Sequence, residues 1–184
     1  MRIPPINSLS RATLICLWTA SLLLAAALFA ERNEVAAQTA ATAQVGPSGL
    51  PLPRFVSLRG AEVNLRTGPG IRYPIDWVYR RRGLPVEVID EFETWRRIRD
   101  YEGTMGWVHQ SMLEGRRSVL VLGEQRVLRR TPETSAPGVA RLDPGVIARL
   151  EGCEAAWCLL KVRGYDGWLR REAVFGLYPG EEPR

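Results

Sequence analysis

The sequence predicts an all-β chain: two small antiparallel barrels in tandem, behind an N-terminal signal or anchor segment. Three observations carry this. After residue 54 no segment of ten or more residues holds a helical period. Short alternating strands recur between turn residues. The folded part also repeats itself. "VNLRTGPGIRYP" (63–74) lies over "RVLRRTPETSAP" (126–137), and "TWRRIRDYEGTMGWVHQSML" (94–113) over "AWCLLKVRGYDGWLRREAV" (156–174). Leu65-Arg66 falls on Leu128-Arg129 at an offset of 63, Trp95 on Trp157 at 62, and Gly106-Trp107 on Gly167-Trp168 at 61.

The N-terminus must be set aside before the fold is read. Arg2 and Arg11 precede Ala12 to Ala30, a run of nineteen uncharged residues. That exceeds the ~7–15 residues of a secretory apolar core and approaches the ~20 of a membrane span. Val35 and Ala37 place small residues ahead of a cut after Ala37. Residues 1–37 therefore read as a signal peptide or, uncleaved, as an anchor through residues 12–30. With the arginines on the N-terminal side, both readings export the remainder to the periplasm or the extracellular space. The only membrane contact expected is through that segment. Cys16 lies inside the apolar run, which makes it a poor lipidation site.

Residues 38–53, "QTAATAQVGPSGLPLP", are small, polar and rich in Pro and Gly, the composition of a flexible tether. The barrels then occupy residues 54–115 and 116–178. Their connection, "EGRR" (114–117), is short enough to predict a fixed packing.

In the first copy "AEVNLR" alternates apolar Ala61, Val63 and Leu65 with polar neighbours, and "LPVEV" does likewise; "GVIARLE" and "WCLLKV" are strands of the second copy. Gly68-Pro69-Gly70, Arg82-Gly83 and Glu102-Gly103 are turns. Gly68 and Gly70 are expected to supply positive φ, with Pro69 fixing a dihedral between them. A phosphate cradle would need more glycine, a following helix and usually a lysine. The loop is read as a turn that presents Arg72, Tyr73 and Trp77.

With "NLRTGPG", "GTMGWVHQSML" and the repeated skeleton, the chain resembles the bacterial SH3-like family, in the tandem form found in exported proteins. The resemblance covers Val56 to Phe175. It implies two SH3-like barrels and a binding or targeting role, toward peptidoglycan or partner proteins, with no chemistry of their own. "VLRRTPE" in the second copy lacks both glycines, so its first loop is expected to take another path.

Parity sets the tryptophans. If Ile98 is core, Trp95 faces outward, and Trp157 opposes Leu160 in the same way. An outward Trp in both copies is a platform for a peptide or sugar ring, or packs on a neighbouring loop. Trp107 and Trp168, each after a glycine, read as partly buried structural residues. Tyr73, Trp77, Tyr79 and Tyr101 complete a possible aromatic groove on the first copy. The second copy has Ser135, Val139 and Arg141 where the first has Arg72, Asp76 and Val78, so the first is the better candidate.

Cys153 and Cys158 flank "EAAW", and export places them in an oxidising environment. Across a hairpin turn they can face each other and form a disulfide. At the 62 offset they match Glu91 and Arg96, whose opposite charges suit cross-strand partners. That predicts a Glu91–Arg96 contact; if exposed, it contributes about 0–1 kcal/mol.

Catalysis finds little support. His109 is the only histidine. A Cys–His site is not available if both cysteines are bridged. A Ser–His–Asp arrangement through Ser111 lacks the strand–elbow–helix context. Zinc hydrolysis would need a larger ligand set, and no two carboxylates stand out for glycoside cleavage. No catalytic residue, metal or cofactor is expected.

The formal charge is +5, almost all arginine, with Lys161 the only lysine. Basicity alone allows nucleic acid, lipid or wall polymer as partner. Export argues against nucleic acid. Arg80-Arg81-Arg82 precede Gly83 and could meet an anionic surface. The sequence thus predicts an envelope binding module for peptidoglycan peptide or glycan, through Arg72, Tyr73, Trp77, Trp95 and Tyr101. The alternative is a scaffold that holds an envelope protein.

Overall fold

A computed structural model describes residues 44–183. The apolar run at 12–30, Cys16, the cut after Ala37 and the start of the expected tether lie outside the described residues.

Two sheets of seven strands each build two antiparallel barrels. The first contains β3 (Arg54–Leu58), β4 (Val63–Arg66), β5 (Ile75–Tyr79), β6 (Pro85–Phe92), β7 (Trp95–Arg99), β8 (Met105–His109) and β9 (Leu113–Glu114), preceded by a small hairpin of β1 (Gln44–Val45) and β2 (Pro51–Leu52). The second contains β10 (Ser118–Val121), β11 (Arg126–Arg129), β12 (Gly138–Leu142), β13 (Ile147–Glu154), β14 (Trp157–Val162), β15 (Tyr165–Arg170) and β16 (Val174–Phe175). Strand order is β5-β4-β8-β7-β6-β3-β9 in the first and β12-β11-β15-β14-β13-β10-β16 in the second, the same topology.

The bends that close each barrel repeat as well. Register shifts fall between Val88 and Asp90 and between Leu150 and Gly152, and again between Leu65 and Arg66 and between Leu128 and Arg129. Each is a bulge that sharpens strand twist at a barrel corner. The glycine ahead of each repeated tryptophan has a steric cause. A Cβ on Gly106 would stand 2.6 Å from Leu65 Cγ, and one on Gly167 2.7 Å from Leu128 Cγ.

Alternation on the strands fills two cores. Leu58, Val63, Leu65, Val86, Val88, Ile98 and Val108 pack in the first; Val119, Val121, Leu128, Leu142, Leu150 and Leu160 in the second. Strand β10 serves both. Val119 and Val121 point into the second core, while Leu120, 1 % exposed, is buried among the first. Polar groups finish the junction. Ser57 and Ser118 hydroxyls lie 2.6 Å apart, Ser57 donates to the Arg116 carbonyl, and Arg81 donates to the Gly145 carbonyl. From across the junction Tyr178 donates to Glu87 at 2.8 Å.

Residues 44–53 depart from the expected tether. The hairpin docks on the first barrel because Glu91 accepts from the Ser48 backbone N–H at 2.8 Å and the Ser48 hydroxyl at 2.7 Å. The last residues also fold back: Glu181 pairs with Arg117 at 2.6 Å and accepts from the Tyr178 N–H at 3.0 Å.

Candidate functional site

Cys153 and Cys158 are cross-strand partners at the end of β13 and β14 and form a disulfide. Glu91 and Arg96 occupy the same register on β6 and β7, with Arg96 Nε 3.2 Å from Glu91 Oε1. The pair is buried rather than exposed, because the hairpin and Arg54 cover it; Arg54 Nη2 lies 2.7 Å from the same oxygen. Arg96 is fully engaged, donating also to the Glu93 and Trp95 carbonyls and to Gln110 Oε1. Burial pushes the Glu91 carboxyl up. The Ser48 and Arg54 hydrogen bonds and the Arg54 charge outweigh this and hold it below the ordinary glutamate value.

The loop from Thr67 to Pro74 is built without positive φ at Gly68 or Gly70. Gly68 is required for another reason: the Tyr73 ring lies on it, 2.4 Å from where a Cβ would stand. The loop is pinned from below by Arg66, whose Nη1 donates to the Tyr73 carbonyl at 2.7 Å and the Ile71 carbonyl at 3.2 Å. The second copy takes the same path, contrary to the expectation from its missing glycines. Thr67 N to Pro74 O (3.1 Å) recurs as Arg130 N to Pro137 O (3.0 Å), and Arg129 donates to the Ala136 carbonyl at 2.7 Å. Ala136 stands in place of Tyr73, leaving room for Thr131 in place of Gly68.

The predicted aromatic residues divide among three places. Arg72 and Tyr73 are together, the guanidinium 5.2 Å from the ring centroid, and Trp77 follows on β5 with 56 % of its surface exposed. Trp95 is half-buried on β7, edge-to-face with its cross-strand partner His109 at 5.4 Å. Strands β5 and β7 are three positions apart in the sheet, roughly 14 Å at ordinary strand spacing. Tyr101 turns to the junction, its ring 6.5 Å from that of Phe175. Tyr79, read as part of the groove, is buried and donates to Asp100 Oδ2 at 2.9 Å, which with burial raises its pKa.

His109 Nδ1 accepts from the Ser111 backbone N–H at 3.3 Å and lies 2.7 Å from the Ser111 hydroxyl. Both contacts are local and cap the 3-10 turn Gln110–Met112. Among the described residues no group of three or more His, Cys, Asp or Glu is placed to hold a metal ion. No helix among them is long and apolar enough to cross a membrane.

Sequence reasoning missed the concave surfaces, of which two bear on function. One is an open groove of about 670 Å³ between the barrels, lined by Pro51, Pro53, Phe55, Arg117, Tyr178 and Pro179. It includes residues read as tether and residues beyond the expected end of the second barrel at 178. The other, about 250 Å³, lies on the second barrel beside Trp157.

These features define a pair of small β-barrel modules of the SH3-like class. The family described as bacterial SH3 domain matches residues 59–115 and 123–176, more than half of the chain, and the protein belongs to it. No curated protein matches the sequence. Among solved structures, NlpC2 from Trichomonas vaginalis is similar at 12% identity and a TM-score of 0.31, over 67% of this chain and 48% of that one. NlpC1 from the same organism is similar at 11% identity and a TM-score of 0.31, over 74% and 50%. The chain spans about half the length of these structures, and a likeness of that degree carries no argument about function.

Proposed function

We propose that the protein is an exported, non-catalytic binding module of the cell envelope, which recognises a peptidoglycan peptide or glycan through its first barrel. Trp77 carries this reading. It is 56 % exposed on β5, the strand that follows the loop held by Arg66, and that loop carries Tyr73 with the Arg72 guanidinium 5.2 Å from its ring. An exposed aromatic held on a strand presents apolar area at low ordering cost. Family membership supports the binding role. The local capping of His109 supports a structural rather than a catalytic histidine. Some arginines of the recurrent runs are occupied: Arg81, Arg96 and Arg117 serve internal bonds.

A scaffold role is favoured by a different observation, the groove between the barrels with its prolines and the Phe55 and Tyr178 rings 4.7 Å apart. Co-sedimentation with purified peptidoglycan at low and high salt, beside Trp77→Ala and Trp95→Ala, separates the two. Salt-resistant pelleting lost in Trp77→Ala supports wall recognition at β5; loss in Trp95→Ala alone moves the site to β7. Pelleting that disappears only in high salt reduces the effect to arginine electrostatics. Absence of pelleting moves the reading to a protein partner in the groove.

A further inference from the structure

We infer that the second barrel carries a ligand pocket of its own, shaped for a small group that bears a carboxylate. It rests on the binding-module reading above and adds a second site and a ligand class to it. The pocket, about 250 Å³, has an apolar floor of Leu169 and Ala173, both buried, and a wall formed by the Trp157 ring. Arg129 and Arg170 stand at its sides. Arg170 Cζ lies 4.9 Å from the centre of the Trp157 ring, so the aromatic face steadies its charged head. Arg129 is positioned by its bond to the Ala136 carbonyl through Nη1, which leaves its other N–H donors for a ligand.

Among the described residues neither Arg129 nor Arg170 has a carboxylate partner, whereas Arg126, on the same wall, is paired with Glu124 at 3.1 Å. Arg126 Nε is nevertheless buried without a hydrogen-bond acceptor. Three guanidiniums thus line the pocket against one acid, Glu172. Two guanidiniums without a carboxylate partner, beside buried apolar side chains, suit a carboxylate attached to a small aliphatic group. The volume suits one or two small residues and not an extended chain. The first barrel does not repeat this chemistry. At the matching positions it has His109 for Arg170, Ser111 for Glu172 and Ile71 for Thr134, so the anion preference belongs to the second copy.

The test is an NMR titration of the full-length chain with N-acetyl-dialanine and, separately, with its C-terminal amide. The acid is expected to move the Trp157 indole and the Leu169 and Arg170 amides, and the amide to bind about tenfold more weakly or worse, having lost the charge-assisted bonds. Arg170→Gln is expected to weaken the acid about tenfold while leaving the spectrum otherwise dispersed. Equal binding of acid and amide, indifference to Arg170→Gln, shifts confined to the first barrel, or the same shifts from sodium chloride would each overturn the inference. If peptidoglycan pellets the protein while the dipeptide does not bind, this inference fails alone. If the dipeptide binds while peptidoglycan pellets nothing, the wall-recognition reading fails alone.

Discussion

The ring of Tyr73 lies directly on Gly68, so that a Cβ on residue 68 would stand 2.4 Å from Tyr73 Cδ1. In the second barrel Thr131 and Ala136 hold the same two places on a backbone with the same hydrogen bonds. The two copies have solved one packing constraint in opposite ways, a bare backbone under a large ring or a side chain over a small one.

Gly68→Thr alone should therefore destabilise the protein by about 2 kcal/mol through overpacking. Gly68→Thr with Tyr73→Ala should recover most of that loss. Denaturant midpoints of the wild type, both single variants and the double variant give the coupling. Additive effects would show that the ring does not dictate the glycine.

Glu91 should make the fold acid-sensitive. Its folded pKa is lowered from the ordinary 4.5, so its contribution is present above pH 4.5 and is lost as pH falls through the lower folded value. Glu91→Gln breaks a buried charged network and should cost about 3 kcal/mol at neutral pH. It should also flatten the acid limb of a stability–pH curve. An unchanged limb would assign the acid sensitivity elsewhere, first to Glu181, whose pKa is lowered as well against the opposing effect of burial, by its bonds from Arg117 and the Tyr178 N–H.

The Cys153–Cys158 bridge closes a loop with a sequence separation of 5. In the chain-entropy model so short a loop stabilises by roughly 2 kcal/mol, the loss expected on reduction or in a Cys153→Ala, Cys158→Ala variant. Thiol titration of residues 38–184 should find no reactive thiol before reduction and two after. Two thiols at the outset would remove the bridge from the account.

Leu120→Ala should cost about 3 kcal/mol, as for a fully buried leucine. Because β10 belongs to the second barrel while Leu120 fills the first core, both barrels should unfold together in one transition that moves as a whole. Two separate transitions in the wild type would mean that the cores are energetically independent.

Strand alternation, turn residues and the 61-to-63 offset made the barrels legible, since all are local patterns whose period the chain itself displays. The Cys153–Cys158 bridge was legible too, because a hairpin register follows from a short separation. Positions within one strand were readable by parity, which set Trp95 opposite Ile98. Which strand stands beside which was not readable in that way. The five binding candidates therefore lie on one list in the sequence and in three places in space.

What the sequence determined by itself is thus the class of fold, the duplication and the local pairs, all of them written in spacing along the chain. The tertiary structure decided the rest. It buried the Glu91–Arg96 pair under residues that looked like a tether, turned Tyr79 inward and Tyr101 toward Phe175, and gathered Trp157, Arg129 and Arg170 from three strands around one pocket. The physical reason is that burial and convergence depend on contacts between strands far apart in sequence, and no periodicity along the chain records those.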